Sequence, residues 1–332
     1  MKHSILHKFY ASKYTLPVRI CLAGIYGSLV FLRNRLYDFR LFNSYSVSVP
    51  VVSVGNLTMG GSGKTILVQA LIDFFLDNGL NPAVLSRGYG RSTKGLFVVS
   101  DGNRLQGDAG TAGDEPYLIA RRYPGVPVVV SKDRLAGAEF LISTCSPAVI
   151  ILDDGFQHRR LQRDVDILVL DQPEQIRSHM LPWGKNREFS SEQKRADLVI
   201  HSKAGKSSDP DFNLHITTSS VLHNLTGEDN KTVPFETYGI FAGLGNNAAF
   251  FESVEAIFGQ AKSLLPFPDH NTYSDPDLRH IEAEMCPAWI TSEKDIVKLS
   301  TAFCQKLRIY FVRAEAVLPR ALRDHLKHYF KL

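Results

Sequence analysis

The sequence is poor in cysteine, and its cysteines lie far apart. The chain has 332 residues and four cysteines, namely Cys21, Cys145, Cys286 and Cys304. Because no two of them form a CxxC pair, the spacing argues against a disulfide framework and a structural zinc site, and it favours free thiols in a reducing compartment. The formal net charge of +4 is also too small to argue for binding nucleic acid.

Acidic residues are missing from the start of the chain, where Asp38 is the first. The basic residues before it are Lys2, Lys8, Lys13, Arg19, Arg33 and Arg35. The uncharged stretch at 20–32 is about 13 residues long, whereas a helix needs about 20 to cross a bilayer. We therefore interpret residues 1–40 as a basic, apolar region whose helix lies in the membrane interface without spanning it. A helix packed on the protein's own core is the alternative, and the absence of a small-x-small site disfavours a cleaved signal peptide.

From residue 47 onward, short apolar runs alternate with helix-like stretches. Strands are predicted at 47–54, 82–86, 96–100, 126–130, 148–153, 165–171 and 197–201, and helices at 65–78, 115–123 and 132–144. Strands that are apolar throughout indicate a parallel sheet covered on both faces. The prediction is an α/β fold with a doubly wound, mostly parallel sheet of the P-loop NTPase type and a second, smaller α/β domain. The predicted boundaries are 1–40 for the N-terminal region, 41–205 for the core domain, 206–235 for a linker and 236–332 for the smaller domain.

A glycine-rich segment after the first predicted strand carries the strongest chemical signal. A valine-rich strand leads into a turn rich in glycine, then Lys64 and Thr65 open an apolar-periodic helix. Glycines allow backbone N–H groups to surround phosphate oxygens, Lys64 would reach the β- and γ-phosphates, and the Thr65 hydroxyl would hold Mg²⁺. The first glycine of the strict pattern is replaced by Thr58. The residues predicted to bind nucleotide are Thr58, Met59, Gly60, Gly61, Ser62, Gly63, Lys64 and Thr65.

Two carboxylates follow another apolar strand. The run at 149–152 delivers Asp153 and Asp154 to the carboxyl end of its strand, which is where open α/β sheets bind ligands. One of them would hold Mg²⁺ directly or through water. Capping of a following helix is the alternative for such a pair.

Three other clusters are unusually polar for loops. The segment 86–91 contains Arg87, Tyr89 and Arg91, and arginine forks suit phosphate while a tyrosine ring suits the face of a sugar. The segment 155–160 directly follows the paired aspartates, so Gln157 and His158 are expected near the nucleotide.

The third cluster, 113–116, places Asp114 and Glu115 at a helix start, where simple capping by Asp114 is the plain alternative. In the smaller domain, His270 follows an aspartate, although a lone histidine is more often structural than catalytic.

Taken together, these segments resemble the tetraacyldisaccharide 4'-kinase (lipid A 4'-kinase) family in motif order and over most of the chain. The motifs are GNLTMGGSGKT at 55–65, SRGYGR at 86–91, GDEP at 113–116, DDGFQHRRLQRDVDI at 153–167, LPWGKNRE at 181–188, DH at 269–270 and TSEKD at 291–295. Two features depart from the family pattern: Ile66 replaces a proline, and Lys185-Asn186 replaces Pro-Leu, which affects the expected fine substrate contacts.

The resemblance implies a kinase that moves the γ-phosphoryl group of ATP, with Mg²⁺, to the 4'-hydroxyl of an acylated glucosamine disaccharide 1-phosphate. It implies that the enzyme acts at the cytoplasmic face of the bacterial inner membrane and binds this surface through the N-terminal helix. It implies no nucleic acid and no obligate protein partner. By similarity, Asp114 is the base and His270 assists it, while Glu115, Asp153 and Asp154 are candidates on the metal side. The two domains are then expected to close around the substrates.

Two alternatives remain open at this point. A P-loop ATPase or ligase of related topology could act on a soluble substrate or a partner protein, although Met59 stands where such switch ATPases often carry a lysine. A membrane-bound scaffold that binds nucleotide without catalysis is the other.

Overall fold

The structure is a computed structural model that describes residues 15–60, 63–171, 179–202, 209–225, 229–230 and 235–332. Gly61 and Ser62 of the predicted nucleotide loop lie outside the described residues, as do Lys2, Lys8 and Lys13. The strands are β1 Val51–Gly55, β2 Pro82–Ser86, β3 Phe97–Asp101, β4 Pro127–Val130, β5 Val149–Asp153, β6 Val165–Leu170, β7 Leu198–His201, β8 His215–Thr218, β9 Leu222–His223, β10 Asp229–Asn230, β11 Gly239–Ala242, β12 Ser263–Pro266, β13 Trp289–Ser292, β14 Ile309–Val312 and β15 Ala314–Val317. The helices are α1 Leu16–Asp38, α2 Lys64–Asp77, α3 Ala109–Ala112, α4 Asp114–Arg122, α5 Arg134–Cys145, α6 Asn247–Phe258, α7 Asp275–Ala283, α8 Glu293–Ile296, α9 Thr301–Lys306 and α10 Arg320–Phe330.

The chain divides into two compact units. The first unit comprises Met1–Leu85, Asp133–His215 and Leu318–Leu332, and the second comprises Ser86–Lys132 and Ile216–Val317. The predicted boundaries differ from this division, since 86–132 clusters with the second unit and 318–332 with the first. The physical reason for the first difference is α4, whose Leu118 is buried in the same apolar core as Phe241 and Trp289.

The core of the first unit is a parallel sheet in the order β2-β5-β1-β6-β7. Every residue of β1, β2, β5 and β6 is buried, which matches strands that are apolar throughout. The predicted strand at 47–54 begins only at Val51, because Pro50 cannot donate a backbone hydrogen bond and residues 45–50 are at least partly exposed. The carboxyl ends of β1 and β5 lie side by side, with Val54 opposite Asp153.

The N-terminal helix α1 is longer than the uncharged stretch that predicted it. It runs for 23 residues from Leu16 to Asp38, with Pro17 in its first turn, and it includes the arginines on both sides of the uncharged stretch. By length and composition α1 could cross a membrane, and 17% of its most apolar window is buried within the protein. Its buried residues, Ala23, Gly27, Val30 and Asn34, form one stripe at helical spacing. The helix lies within the predicted N-terminal region at 1–40, and its orientation in a membrane stays a prediction.

The second unit contains a six-stranded sheet in the order β10-β9-β14-β13-β11-β12, and separate antiparallel pairing of β3 with β4. Strands β11 to β14 pair in parallel, and their main core contains Phe241, Trp289 and Ile296. Strands β8 and β9 lie within the predicted linker at 206–235, yet β9 pairs with β14 through His223 and Phe311. This stretch is therefore partly built into the sheets of the second unit, because its apolar residues Leu222 and Leu225 have a core to join.

Candidate active site

The glycine-rich loop of the first unit connects β1 to α2. Gly60 has φ +129° and Gly63 has φ +80°, which are backbone conformations that residues other than glycine rarely adopt. The Met59 N–H donates to the Lys185 carbonyl at 2.8 Å, and Thr58 pairs with Asn186, so the segment 185–186 supports the loop from one side. Lys64 is the first residue of α2, and Thr65 follows it in the first turn, where backbone N–H groups favour an anion.

Three charged groups meet at the end of β5. Lys64 Nζ lies 3.6 Å from Asp154 Oδ1, and Arg187 Nη1 donates to both Asp154 oxygens at 2.9 and 2.8 Å. Burial alone would raise the pKa of Asp154, but the Lys64 and Arg187 charges outweigh it and hold the pKa below its ordinary value. Asp154 also has φ +51°, a left-handed backbone that costs a non-glycine residue about 1 kcal/mol. Such strain commonly accompanies functional positions.

The metal-side residues predicted in the first unit lie on two elements that the sheet brings together. Asp153 is buried at the end of β5, beside β1, and β1 leads through the loop to Thr65 in the first turn of α2. Within the described ranges, no group of three or more His, Cys, Asp or Glu side chains could hold a metal ion by itself. A Mg²⁺ held by one hydroxyl and one or two carboxylates, with phosphate oxygens completing its shell, needs no such group. Asp154 is held by two cations and Asp153 is buried, and both carboxylates stay candidates for contact with the metal.

Glu115 lies in the second unit, in the first turn of α4 beside Asp114.

Gln157 and His158, which follow the paired aspartates, belong to the first unit, and their proximity to the nucleotide stays a prediction. Gln157 Nε2 donates to the Asn56 carbonyl at 2.8 Å, so this side chain is attached to the residues that lead into the loop. Two buried polar atoms, His158 Nδ1 and Ser53 Oγ, have no hydrogen-bond partner among the residues that the structure describes. Unpartnered buried polar atoms are rare in native proteins, and a bound ligand or water would satisfy them. Burial, followed by the charge of Arg134, lowers the pKa of His158 to about 4.

In the second unit, the SRGYGR loop packs against the start of α4. A Cβ on Gly113 would come within 3.0 Å of the Tyr89 carbonyl oxygen, so only glycine allows this approach. Arg87 and Tyr89 present exposed side chains. Arg91 instead donates to the Val130 carbonyl at 3.4 Å and to the Gly95 carbonyl, so its guanidinium braces the loop.

Asp114 and His270 come together in the second unit although 155 residues separate them in the sequence. His270 Nδ1 lies 3.2 Å from Asp114 Oδ2, and His270 has a left-handed backbone with φ +59°. Burial alone would raise the pKa of Asp114, but the hydrogen bond from His270 and the charge of Lys298 outweigh it and hold the pKa below its ordinary value. Asp114 is therefore an ionised carboxylate at neutral pH, able to accept a proton.

A lysine on α8 assigns the tautomer of the histidine. Lys294 Nζ lies 3.4 Å from His270 Nε2 and 3.2 Å from Asp269 Oδ1. Because an ammonium group can only donate, Nε2 must accept and the ring proton lies on Nδ1, where it is donated to Asp114. The network thus fixes His270 in the orientation that supports the carboxylate.

Three cations at these sites have no predicted role from the sequence, namely Arg187, Lys294 and Lys298. Arg187 and Lys294 stand inside the motifs at 181–188 and 291–295, and a charged residue within a specific motif was the available signal. Lys298 follows the second motif by three residues, and no pattern in the sequence marked it.

The comparisons with known proteins agree with one another. The sequence model of the family described as tetraacyldisaccharide-1-P 4'-kinase matches residues 17–331. A tetraacyldisaccharide 4'-kinase of Chlorobaculum parvum is 38% identical over 301 residues, covering 84% of this chain and 82% of that protein. One of Syntrophus aciditrophicus is 36% identical over 333 residues, covering 90% and 88%. A crystal structure of the "apo" form of the Aquifex aeolicus protein in complex with ATP superimposes with a TM-score of 0.76 at 32% identity, covering 93% of this chain and 97% of that one. The likeness confirms the predicted α/β fold of the P-loop type.

Proposed function

The chain belongs to the tetraacyldisaccharide-1-P 4'-kinase family, and from this premise we propose that it phosphorylates the 4'-hydroxyl of an acylated glucosamine disaccharide 1-phosphate. It is an ATP-dependent phosphotransferase. The observation that carries the proposal is the pairing of the ionised Asp114 carboxylate with His270 at 3.2 Å in a chain that also contains a phosphate-binding loop. Neither a scaffold nor an ATPase that acts on proteins needs such a base beside exposed sugar-binding candidates.

The first unit is proposed to hold the nucleotide. Backbone N–H groups of the loop at 58–65 surround the phosphates, and Lys64 leaves Asp154 to contact the β- and γ-phosphates. Thr65 and Asp153 are the proposed contacts of Mg²⁺, which supplies charge neutralisation to the transferred phosphoryl group. Arg187 keeps Asp154 ionised and oriented while Lys64 is engaged elsewhere.

The second unit is proposed to hold and activate the acceptor. Asp114 takes the proton of the 4'-hydroxyl. The hydroxyl oxygen bonds to the γ-phosphorus at the same time, and the bond from that phosphorus to the ADP oxygen breaks. The Nδ1 proton of His270 keeps the carboxylate in place. Arg87 suits a phosphate of the acceptor and Tyr89 suits a sugar face, since both side chains are exposed beside the start of α4. Closure of the two domains stays a prediction.

We also propose that α1 lies on the cytoplasmic face of the inner membrane, parallel to it. On its outer side Val18, Ile25, Leu29 and Leu32 are exposed. On its inner side, the side chains of Arg19 and Tyr26 donate to carbonyls of Trp183 at 2.9 Å and Arg187 at 3.0 Å. These contacts with a polar loop run along the helix, and they favour a helix that rests on the first unit over one that leaves it to cross the bilayer.

Sedimentation with vesicles of anionic phospholipid tests the membrane surface. Leu29→Glu with Leu32→Glu should release most of the protein from the vesicles. Met285→Glu is the control, because it changes an apolar residue of the second unit that is even more exposed than the two leucines. Equal binding of all three proteins would refute the membrane role of α1.

The enzymatic proposal is tested with purified protein, ATP labelled in the γ-phosphate, and a tetraacylated disaccharide 1-phosphate in mixed micelles. The expected result is label in the lipid at the 4'-position, dependent on Mg²⁺. A lipid that already carries a 4'-phosphate is the matched control and should stay unlabelled. ATP hydrolysis without lipid labelling would contradict the proposal and favour an ATPase.

A further inference from the structure

A buried lysine lies behind the proposed base. The side chain of Lys298 is only 5% exposed, and its Nζ lies 3.4 Å from Asp114 Oδ2 and 3.5 Å from Asp295 Oδ1. Burying an ammonium group is costly unless carboxylates and hydrogen bonds compensate for the lost water. The free-energy cost of burying this ammonium group suggests that it has a specific role. Its two contacts connect the proposed base, Asp114, with Asp295.

Asp295 is fixed without any help from Lys298. Its fully buried carboxylate accepts the Gly243 N–H at 3.0 Å and the Ser292 hydroxyl at 2.6 Å, both at Oδ2. Ser292 also caps α8 by accepting the Asp295 N–H. The other oxygen, Oδ1, lies 3.5 Å from Nζ of Lys298, which is three residues further along the chain in the turn after α8. Asp295 therefore anchors the lysine to the core of the second unit.

The contacts of Asp114 with His270 and Lys298 fall on the same carboxylate oxygen. Both His270 Nδ1 and Lys298 Nζ make their shortest contact with Oδ2, at 3.2 and 3.4 Å, so Oδ1 is the oxygen farther from both groups. Exposure increases outward through the cluster, from 5% for Lys298 to 24% for Asp114 and 46% for His270. Lys298 therefore holds the carboxylate from the protein side, and His270 holds it from the solvent side.

We propose that Lys298 is a positioning residue of the kinase reaction, which fixes the rotamer of Asp114 so that Oδ1 is presented to the hydroxyl of the acceptor. The inference rests on the proposed function of Asp114. Lys298 neither contacts the substrate nor transfers a proton, and it acts only through the base. Misplacement of a catalytic group by about 1 Å can reduce the rate about a hundredfold, so the loss of one fixed contact is enough.

The first test is Lys298→Met, which keeps the length of the side chain and removes its charge. We expect kcat to fall about a hundredfold, with KM for ATP and for the lipid changed less than about threefold. Lys306→Met is the matched control, because Lys306 forms an exposed ion pair with Glu282 in the same unit, and this variant should keep full activity. Unchanged kcat in Lys298→Met would overturn the proposal.

A double-mutant cycle separates positioning from a general structural role. In an Asp114→Asn background, Lys298→Met should cost less than about threefold, since the group that it positions has lost its function. The same hundredfold loss in both backgrounds would show that Lys298 does not act through Asp114 and would reject the proposal.

A charge-balanced variant deals with misfolding. Lys298→Met with Asp295→Asn removes both charges of the buried pair, so the thermal midpoint should return towards that of the wild-type protein while kcat stays low. Recovery of kcat together with stability would assign Lys298 to charge balance alone and reject the proposal. If the wild-type chain failed to label the lipid, the proposed function would fall; if it labelled the lipid and these variants matched it, only this inference would fall.

Discussion

The loop proposed to bind phosphate and the cluster proposed to face the acceptor are built in opposite ways. The loop is continuous in sequence, from Thr58 to Thr65, and its chemistry comes mainly from backbone N–H groups at the start of α2. The cluster gathers Asp114 from the start of α4, His270 from a loop, and Lys294 and Lys298 from α8 and the turn after it. Only side chains carry its chemistry.

This difference explains how specialised each region is. A loop that binds phosphate through its backbone works with any triphosphate chain and recurs among unrelated enzymes. The cluster depends on the packing of α4 against α8, where Arg122 of α4 donates to Glu293 at 3.2 Å. We therefore attribute the specific reaction to the second unit, and nucleotide binding to the first.

The largest expected effect is that of Asp114→Asn, which should lower kcat about a thousandfold because the carboxylate that accepts the proton is lost. The dissociation constant of ATP, measured by calorimetry, should change less than about threefold, since the nucleotide is assigned to the first unit. Glu282→Gln, in an exposed pair of the second unit, is the control and should be neutral. A parallel loss of ATP affinity would break the division of roles.

A smaller effect is expected from Arg187→Met in the first unit. Loss of the two hydrogen bonds to Asp154 leaves that carboxylate to compete with phosphate for Lys64, so the KM for ATP should rise about tenfold. The KM for the lipid should stay the same. Arg320→Met provides the control, because Arg320 is exposed and pairs only weakly with Asp324. Equal increases in both KM values would contradict the separation of the two sites.

The smallest effect concerns stability and pH. His158 is neutral in the folded protein because its pKa is lowered to about 4, whereas the unfolded value is near 6.5. The unfolded state therefore binds more protons between these values, so the contribution is present above about pH 6.5 and is lost as the pH falls towards 4. With solvent screening included, it amounts to about 1–2 kcal/mol.

Urea unfolding of the wild-type chain and of His158→Gln, at several values between about pH 7 and pH 4.5, measures this contribution. On acidification the wild-type chain should lose about 1–2 kcal/mol more unfolding free energy than the variant. A difference independent of pH would show that His158 is not buried in its neutral form.

Much of the first unit was predictable from sequence. Buried parallel strands are apolar throughout, so β2, β5 and β6 were located to within one residue at each end, and the helix predicted at 65–78 is found one residue earlier, at Lys64–Asp77. The family resemblance carried by the motifs is confirmed by the match over residues 17–331. The roles of individual site residues stay predictions.

Other features depend on contacts that a local pattern cannot express. Arg91 was grouped with Arg87 and Tyr89, yet its guanidinium is directed to backbone carbonyls of its own loop and of β4. The uncharged stretch at 20–32 does not show the full extent of α1, because charged residues near both ends also belong to the helix. The stretch at 206–235 was taken for a linker because it is polar, although β8 and β9 pair with later strands.

The sequence by itself determined the fold class, the phosphate loop and the family, because these depend on periodicity and on residues that are neighbours along the chain. Only the tertiary structure decided that Lys298 lies behind Asp114, that Lys294 assigns the tautomer of His270, and that Arg187 holds Asp154. These pairs are distant in sequence, and their contact follows from the packing of strands and helices in each unit. The interaction between two charges depends on their distance in space, and the position of a residue along the chain does not show which groups it contacts.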